Sequence, residues 1–442
     1  MISTIRRVWL GHCGVFIAAL IFSATAHATN GYFSHGYGTK SKGVAGAGVA
    51  APMDAMDAAL NPANMVLGGQ QMNLGLAWFS PMRSYSVSGM PTGAPGTFGL
   101  FPGSFDSDNE SFFIPSFGAN WMRGEDSAFG LTVYGNGGMN TDWNAANIAG
   151  GMGTFGAGDA GVDLMQLFVN GTYSRKFDSG KGAWGVSAIL ASQRFKAYGL
   201  RSFAGFSNDP GNLSDKGYDD AYGYGFKIGF QNQVSSKLSI GGSYQSTIWM
   251  SEFDKYAGLF AEEGGFDIPQ TATIGMALGL TEKTKLLADV QWIGYSGVAS
   301  IGNSMMPALG MCAMRATPTS PNCLGGSSGA GFGWEDMTIL KLGVEIDGGK
   351  GWTWRFGGSM ADSQPIPESE VMFNILAPGV METHLTFGFT KMLSESSSID
   401  FAVMYAPSNS VSGPNPLEAP GRQTIELEME QIEVAIQYNK RF

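Results

Sequence analysis

Large apolar side chains alternate with small or polar ones along most of the chain after residue 70. In the stretch Tyr222–Phe230, aromatic and aliphatic residues at even positions are separated by Gly and Lys at odd positions. The same alternation recurs at Met72–Trp78, Leu340–Ile346 and Phe401–Tyr405. A period of two residues is typical of half-buried β-strands, so the pattern predicts an all-β protein.

The predicted strands are joined by connections that alternate between short and long. Short polar turns, such as Arg123–Asp126 and Gly348–Gly351, follow every second strand. The strands are predicted near 70–80, 112–122, 127–138, 163–177, 183–197, 218–234, 237–250, 267–280, 284–297, 334–347, 352–362, 380–393, 398–407 and 423–442. This rhythm predicts a transmembrane antiparallel β-barrel of about 14 strands, since such barrels have short turns at one end and longer loops at the other.

The composition agrees with a surface that faces lipid. Only 14% of the 442 residues are charged and 65 are glycine, whereas soluble domains average about 25% charged residues and about 7% glycine. Aromatic residues make up 12% of the chain. The formal net charge of −11 argues against binding to nucleic-acid phosphates.

The first 28 residues have the pattern of a secretory signal peptide. Arg6 and Arg7 precede an apolar run, Val8–Phe22, and Ala26 and Ala28 supply the small residues of a cleavage site. The run is shorter than the roughly 20 residues of a membrane-spanning helix, although a membrane anchor is the alternative interpretation. We expect residues 1–28 to be cleaved and the protein to be exported to the outer membrane of a Gram-negative cell.

Residues 29–69 lack the strand pattern. The segment is rich in Gly and Ala, and the stretch Pro52–Leu60 predicts a short helix that ends before Asn61 and Pro62, since the residue before proline avoids the helical conformation. A barrel of this size otherwise encloses a water-filled channel. We therefore predict a signal peptide at 1–28, an N-terminal hatch or plug inside the lumen at 29–69, and the barrel at 70–442.

The last predicted strand ends in an aromatic residue, Phe442. Apolar residues from Ile432 to Tyr438 share one parity with it. Such an ending resembles the assembly signal of bacterial outer-membrane proteins, although Lys440 stands where that signal usually has an apolar residue. We expect Phe442 to engage the barrel assembly machinery.

Several motifs together resemble the FadL family of outer-membrane transporters for long-chain fatty acids and aromatic hydrocarbons. The motifs are NGYFSHGYGTKSKGVAGAGVA from Asn30, Asn61-Pro62-Ala63 before the first strand, Trp334-Glu335-Asp336, the stretch Arg355–Pro367, and the terminal Phe442. The resemblance spans the whole mature chain. It implies a 14-stranded barrel, a hatch, and passive uptake of a hydrophobic ligand that leaves sideways at a kink in the third strand.

The kink implied by the resemblance and the apolar residues of the loops and the plug provide candidates for the transport route. The expected kink lies at Gly135, Asn136, Gly137 and Gly138, because glycine weakens a strand and permits a bulge; the alternative is that these residues begin a loop. The expected ligand-binding and gating residues are Tyr32, Phe33, Asn61, Pro62, Ala63, Phe203, Phe206, Leu259 and Phe260. For the four loop residues, packing of the loops together is an equal alternative, and Tyr32 and Phe33 equally fit a wedge between plug and wall.

Two cysteines, Cys312 and Cys323, remain after removal of the signal peptide. They are close in sequence and lie in an exported protein, which favours a disulfide; free thiols or a metal site are the alternatives. Only His35 and His384 remain as histidines, and both are distant in sequence. We expect no metal and no cofactor.

Motifs that suggest enzymes lack their structural context. Gly46–Ala51 fits a loose dinucleotide pattern, but no strand precedes it. Gly325–Gly329 fits G-x-S-x-G around Ser327, but it lies in a Gly/Ser-rich loop. We therefore expect a transporter and not an enzyme, with a general porin or a structural barrel as the alternative and an outer-membrane lipase as a remote one.

The expected partners follow from that function. They are a hydrophobic ligand, outer-membrane lipid and lipopolysaccharide, and we expect a monomer. The ligand is either a fatty acid or an aromatic or aliphatic hydrocarbon. A fatty acid carrier benefits from a buried cation that binds the carboxylate, and Lys40, Lys42, Arg83 and Arg123 are available.

Overall fold

The computed structural model describes residues 30–442, so the predicted signal peptide at 1–28 lies outside the described residues. Within residues 30–442, none of the helices combines the length and the apolar character needed to cross a membrane.

Fourteen long antiparallel strands form the body of the described chain. They are β1 (Gln71–Ser88), β2 (Phe112–Arg123), β3 (Ser127–Trp143), β4 (Ala160–Lys176), β5 (Gly182–Tyr198), β6 (Asp219–Gln233), β7 (Leu238–Gln245), β8 (Thr271–Gly279), β9 (Thr284–Ile293), β10 (Met337–Gly349), β11 (Trp352–Ala361), β12 (Thr383–Ser394), β13 (Ser397–Pro414) and β14 (Thr424–Arg441). Each strand pairs with the next, and β14 pairs with β1 from Gln71–Arg441 to Ser88–Thr424. The sheet is therefore a closed barrel of 14 strands, as the sequence predicts.

Some strand bounds differ from the predicted ones. Strand β1 continues to Ser88 and β13 to Pro414, and both extensions pair with β14. Residues 139–143, predicted as loop, continue β3 and pair with β4. A short strand at Gly103–Asp106, in a predicted connection, pairs with β1. The strand predicted at 237–250 ends at Gln245, and its last two residues, Trp249 and Met250, form a separate short strand beside β6. A neighbouring strand that offers hydrogen bonds extends these segments beyond what their own side-chain pattern indicates.

The two faces of the wall differ as the alternation predicts. On β10, Leu340 is 49% exposed on the outer face, whereas its neighbour Lys341 is 3% exposed on the inner face. Exposed apolar residues recur at outward positions around the barrel, for example Leu76 on β1 and Tyr224 on β6. This arrangement explains the low fraction of charged residues in the sequence, because an outer face in contact with lipid excludes charged groups.

The helices are short and lie outside the wall strands. The α-helices are α1 (Thr39–Lys42), α2 (Asn64–Gly68), α3 (Ala261–Gly264), α4 (Ala299–Gly302), α5 (Met305–Ala313) and α6 (Val371–Asn374). The 3-10 helices are Ala55–Ala59, Ala145–Asn147, Arg201–Phe206, Pro210–Asn212, Asp254–Tyr256, Tyr295–Gly297 and Glu368–Glu370. The helix predicted at 52–60 is thus a 3-10 turn, capped by the side chain of Asp54, which accepts the Met56 N–H.

Residues 30–69, called here the N-terminal segment, lie against the inner face of the wall. The N–H groups of Gly48 and Val49 donate to Asp289 on β9 at 2.8 and 2.9 Å. Lys42 forms an ion pair with Glu433 on β14 at 2.6 Å, and both side chains are buried. Nearly every residue of the segment is buried, so the segment occupies the interior on the side away from lipid.

Candidate functional site

An apolar cleft lies among the long loops. Its free volume is about 40 Å³, so its apolar walls lie close together. Its lining residues are Val162, Phe195, Leu200, Phe203, Leu213, Leu259, Phe260, Ser300, Leu324, Ala330, Gly331, Phe332, Phe373 and Leu376. None of these side chains is charged, so the cleft suits a hydrocarbon surface.

Three of the four predicted loop residues meet in this cleft. The 3-10 helix at Arg201–Phe206 buries Phe203, and Phe260 packs on Phe195 with ring centroids 4.7 Å apart. Leu259 completes the group. Phe206 does not line the cleft; instead its carbonyl accepts the Leu324 N–H at 2.9 Å and fixes that cleft residue.

A disulfide fastens one side of the cleft. Cys312, in α5, is bonded to Cys323, with Cα atoms 4.8 Å apart. The next residue, Leu324, lines the cleft and pairs with Ser207 beside the 3-10 helix. The cross-link therefore limits the movement of Leu324, which lines the same cleft as Phe203.

An aromatic cluster continues inward from the cleft. Tyr32 contacts Phe33, Phe266, Tyr295 and Trp334, with ring centroids 5.0 to 6.4 Å apart. Phe260 of the cleft packs on Phe266 at 4.7 Å. These contacts join the cleft to the first residues of the N-terminal segment by an unbroken aromatic path.

Hydrogen bonds fix the polar atoms of this cluster. The hydroxyl of Tyr295 accepts the Tyr32 N–H at 3.2 Å and donates to the carbonyl of Asn30. The indole of Trp334 donates to Asn374 at 2.6 Å. Burial is the main cause that raises the pKa of the Tyr32 and Tyr295 hydroxyls, so both rings stay neutral.

The wall is interrupted between β2 and β3. Their ladder runs from Arg123–Ser127 to Ser116–Tyr134 and ends there, although β3 continues to Trp143. Pro115, next on β2, has no N–H to donate. On the other side, the register of β3 against β4 shifts between Gly135 and Gly138, as a β-bulge does.

The N-terminal segment covers the free edge of β3. Phe33 forms an antiparallel bridge with Gly137. The Ser34 N–H donates to the Asn136 carbonyl at 3.0 Å, and the Gly138 N–H donates to the Tyr32 carbonyl at 3.1 Å. A Cβ atom on Gly137 would lie 1.9 Å from the Tyr32 carbonyl oxygen, so this close approach requires glycine.

The break in the wall ends at a hydrogen bond on the side of the long loops, and a cavity lies beside it. At the end of the break nearer the long loops, the Asp108 N–H donates to the Asp142 carbonyl at 2.9 Å, and this bond closes the wall again. Beside it lies a small cavity of about 20 Å³. Its lining includes Lys42 and Ala77 of the interior and the outward-facing Leu76.

The predicted Asn61, Pro62 and Ala63 lie elsewhere, near the short-turn end. The Asn61 amide donates to the carbonyls of Val49 and Phe230 at 2.6 and 2.9 Å, and its Oδ1 accepts the Ala63 N–H at 3.0 Å. These bonds anchor the N-terminal segment to β6. They do not involve the cleft or the break.

The short-turn end of the interior is polar. A cavity of about 220 Å³ is lined there by Lys40, Arg355, Arg441 and Glu345, by Ser, Thr, Asn and Gln side chains, and by Pro52, Met53 and Met392. The charged part of this lining disfavours an apolar molecule, because the molecule would desolvate those groups without pairing with them.

Sequence reasoning missed Phe266 and Tyr295. Trp334 entered it only as part of a family motif, with no role. Phe266 lies in a loop. Tyr295, predicted at the end of the strand near 284–297, instead begins a 3-10 helix after β9 ends at Ile293. At neither position does a period identify a buried side chain. Ser327, the candidate nucleophile, lines a loop basin with Glu252, Glu262 and Glu263, and no histidine in residues 30–442 lines that basin.

Comparison with known proteins places the chain in a family. Residues 16–442 match the family described as outer membrane protein transport protein (OMPP1/FadL/TodX). A comparison with curated protein sequences found no match.

Solved structures share the fold. A FadL homologue of Pseudomonas aeruginosa has a TM-score of 0.68 at 16% identity, over 93% of this chain and 100% of that one. The toluene transporter TodX of Pseudomonas putida gives 0.64 at 16%, over 94% and 100%, and the toluene transporter TbuX of Ralstonia pickettii 0.61 at 18%, over 92% and 99%. The family match over nearly the whole sequence, together with this barrel, shows that the chain belongs to the outer-membrane transport proteins of the FadL/TodX family.

Proposed function

We propose that this chain carries hydrophobic small molecules across the outer membrane and releases them sideways through the break between β2 and β3. The N-terminal segment acts as the hatch. The observation that carries the proposal is that Tyr32 and Phe33 take part in two structures at once. They belong to the aromatic cluster that continues the cleft, and they also cover the free edge of β3.

The energetics favour this route. Each CH₂ group buried in the cleft contributes roughly 0.8 kcal/mol, so a short alkyl or aryl ligand binds there without polar contacts. The polar short-turn end offers no comparable gain. A side exit at the break delivers the ligand into lipid without passage through water. Two of the similar structures are described as toluene transporters, which is consistent with ligands of this kind.

The proposed sequence of steps follows from the contacts. A ligand that advances from Phe260 to Phe266 meets the ring of Tyr32. Displacement of Tyr32 pulls on the bridge between Phe33 and Gly137. When the bridge separates, the edge of β3 is uncovered and the ligand leaves.

A reversible tether tests these steps. Ser34 and Asn136 are opposite each other across the bridge, and such pairs have Cα atoms about 5.5 Å apart, within the range of a disulfide. In the Ser34→Cys/Asn136→Cys variant, we expect oxidation to reduce uptake of a radiolabelled alkane or toluene to the level of cells without the protein. Reduction should restore uptake.

The controls are the two single-cysteine variants and the native chain under the same reductant, because Cys312 and Cys323 are also bonded. Full uptake by the oxidised double variant, with the cross-link verified by mass spectrometry, would refute exit at this break. Oxidation of a single-cysteine variant should leave uptake unchanged.

A further inference from the structure

The cleft has to widen before it can hold a ligand. Its free volume is about 40 Å³, whereas an apolar cavity that binds benzene measures about 150 Å³. Val162 and Phe195 are fixed by strand pairing in β4 and β5, and Leu324 follows the disulfide. Phe332 and Phe373 lie outside the strands, so a ligand displaces them more readily.

Asn374, directly after Phe373, joins these two parts of the lining. Its side chain is fully buried. The amide Nδ2 donates to the carbonyls of Phe332 and Glu370 at 2.7 and 2.8 Å. Its Oδ1 accepts the indole N–H of Trp334 at 2.6 Å. One amide group therefore connects both loop segments of the lining to the ring of Trp334.

Trp334 connects Asn374 to the N-terminal segment. Its ring contacts Tyr32, with ring centroids 5.9 Å apart. Tyr32 is followed by Phe33, which forms the bridge to Gly137 on the free edge of β3. A displacement of Asn374 therefore reaches the residues that cover the break through a continuous series of contacts, as coupling between distant sites requires.

The residues after Asn374 bond to β3 beyond the break. The Ile375 carbonyl accepts the Trp143 indole N–H at 3.0 Å, and the Leu376 carbonyl accepts the Thr141 hydroxyl at 2.8 Å. Both donors belong to the part of β3 that continues after its ladder with β2 has ended. The segment that carries Asn374 therefore contacts the cleft, the aromatic cluster and the interrupted part of the wall.

We propose that Asn374 is a positioning residue that couples ligand binding in the cleft to release of the N-terminal segment. It does not line the cleft, so it acts through Trp334 and not on the ligand. When a ligand separates Phe332 from Phe373, the amide shifts with them and draws the Trp334 ring away from Tyr32. The proposal rests on the proposed function and names the contact that controls its hatch.

A thiol at the break measures this coupling. Ser34 lines the cavity beside the break and is 7% exposed, so a Ser34→Cys variant should react slowly with N-ethylmaleimide while the segment is docked. In outer-membrane fragments, we expect toluene or n-dodecane to raise its labelling rate several-fold, as measured by mass spectrometry. Cys312 and Cys323 are bonded to each other and do not react.

Two substitutions in the Ser34→Cys background remove the link from either side. Asn374→Ala loses the bonds to Phe332, Glu370 and Trp334, and Trp334→Phe keeps a ring beside Tyr32 but loses the indole N–H. We expect each to abolish the ligand-induced increase in labelling and to leave binding of radiolabelled toluene unchanged. The double variant should behave as each single one does, because both changes interrupt one link.

The matched control is Asn303→Ala, because the Asn303 amide donates to the Gly329 carbonyl at 2.9 Å, next to the cleft lining, and not to Trp334. It should keep the full increase in labelling. A retained increase in Asn374→Ala or in Trp334→Phe would overturn the proposal, as would a loss of toluene binding in either or an equal loss of the increase in Asn303→Ala. If Asn374→Ala does not fold, Trp334→Phe decides. If neither ligand changes the labelling of Ser34→Cys alone, the hatch step of the proposed function fails, and the coupling with it.

Discussion

At the scale of single residues, Gly137 shows how one position joins the wall to the N-terminal segment. Its backbone lies so close to Tyr32 that a side chain there would meet the Tyr32 carbonyl and the Cα of Phe33. The family resemblance drew attention to Gly135–Gly138 as a place where β3 can bend. Only the structure shows that the absent side chain makes room for another part of the chain.

Replacement of Gly137 by alanine should displace the N-terminal residues without unfolding the barrel. The new Cβ would lie 1.9 Å from the Tyr32 carbonyl oxygen, and backbone atoms cannot yield as a flexible side chain does. We expect Gly137→Ala to raise uptake of a hydrophobic fluorescent dye by intact cells several-fold.

Gly171→Ala on β4 is the matched control, because no atom lies within 4 Å of a Cβ there. Equal dye uptake by both variants, with both barrels folded on a heat-modifiability gel, would contradict the role of Tyr32–Phe33 as a cover.

At the scale of elements, the N-terminal segment is held to the wall by buried polar groups. His35 is fully buried, and its ring lies nearly parallel to that of His384, with ring centroids 6.0 Å apart. Lys42 and Lys341 are the nearby cations. Burial, followed by repulsion from Lys42, lowers the pKa of His35 well below its ordinary value. His35 therefore stays neutral while the segment is docked.

This arrangement predicts that the free energy of unfolding decreases as the pH is lowered. A detached or unfolded His35 binds a proton below its ordinary pKa of about 6.5, whereas the docked residue does not. The contribution of docked, neutral His35 to the free energy of unfolding is therefore fully present above about pH 6.5. It is lost as the pH falls, by up to about 1.4 kcal/mol per pH unit. Urea unfolding at pH 7.5 and pH 5.5, followed by tryptophan fluorescence, measures it.

The control for that experiment is His35→Gln, which cannot titrate. We expect the variant to lose less stability between the two pH values than the native protein does. Parallel loss in both proteins would assign the pH dependence to other groups.

At the scale of the whole molecule, the barrel is closed by 14 strands and its interior is occupied by the N-terminal segment, residues 30–69. The cleft and the polar cavity lie at opposite ends of that interior. The N-terminal segment lies between the two, so we expect no continuous aqueous path from one end to the other.

Conductance across a planar bilayer should reflect this arrangement. We expect the native protein to conduct ions weakly, and a variant that lacks residues 30–66 to form a stable open pore, because the empty barrel is wide enough for water. Strong conductance by the native protein would favour the porin alternative. The Asn61→Ala variant, which loses bonds to Val49 and Phe230, should open intermittently.

The sequence determined the barrel because alternation and connection length are local properties that each strand carries by itself. Phe203, Leu259 and Phe260, which line the cleft, could be singled out in the sequence because bulky apolar residues in loops are conspicuous. Tyr295 and Phe266 were not, since nothing local marks a loop aromatic as buried.

Tertiary structure alone decided which strand edge stays unpaired and what covers it. The ladder between β2 and β3 ends at Ser116–Tyr134, and the edge beyond it meets Tyr32–Ser34, about a hundred residues earlier in the chain. A side-chain pattern indicates which way a residue faces, but not whether the backbone of another segment forms hydrogen bonds with it. For the same reason, Arg83 is only an available cation in the sequence, and the structure alone shows that it is buried, with its Nη2 unbonded within residues 30–442.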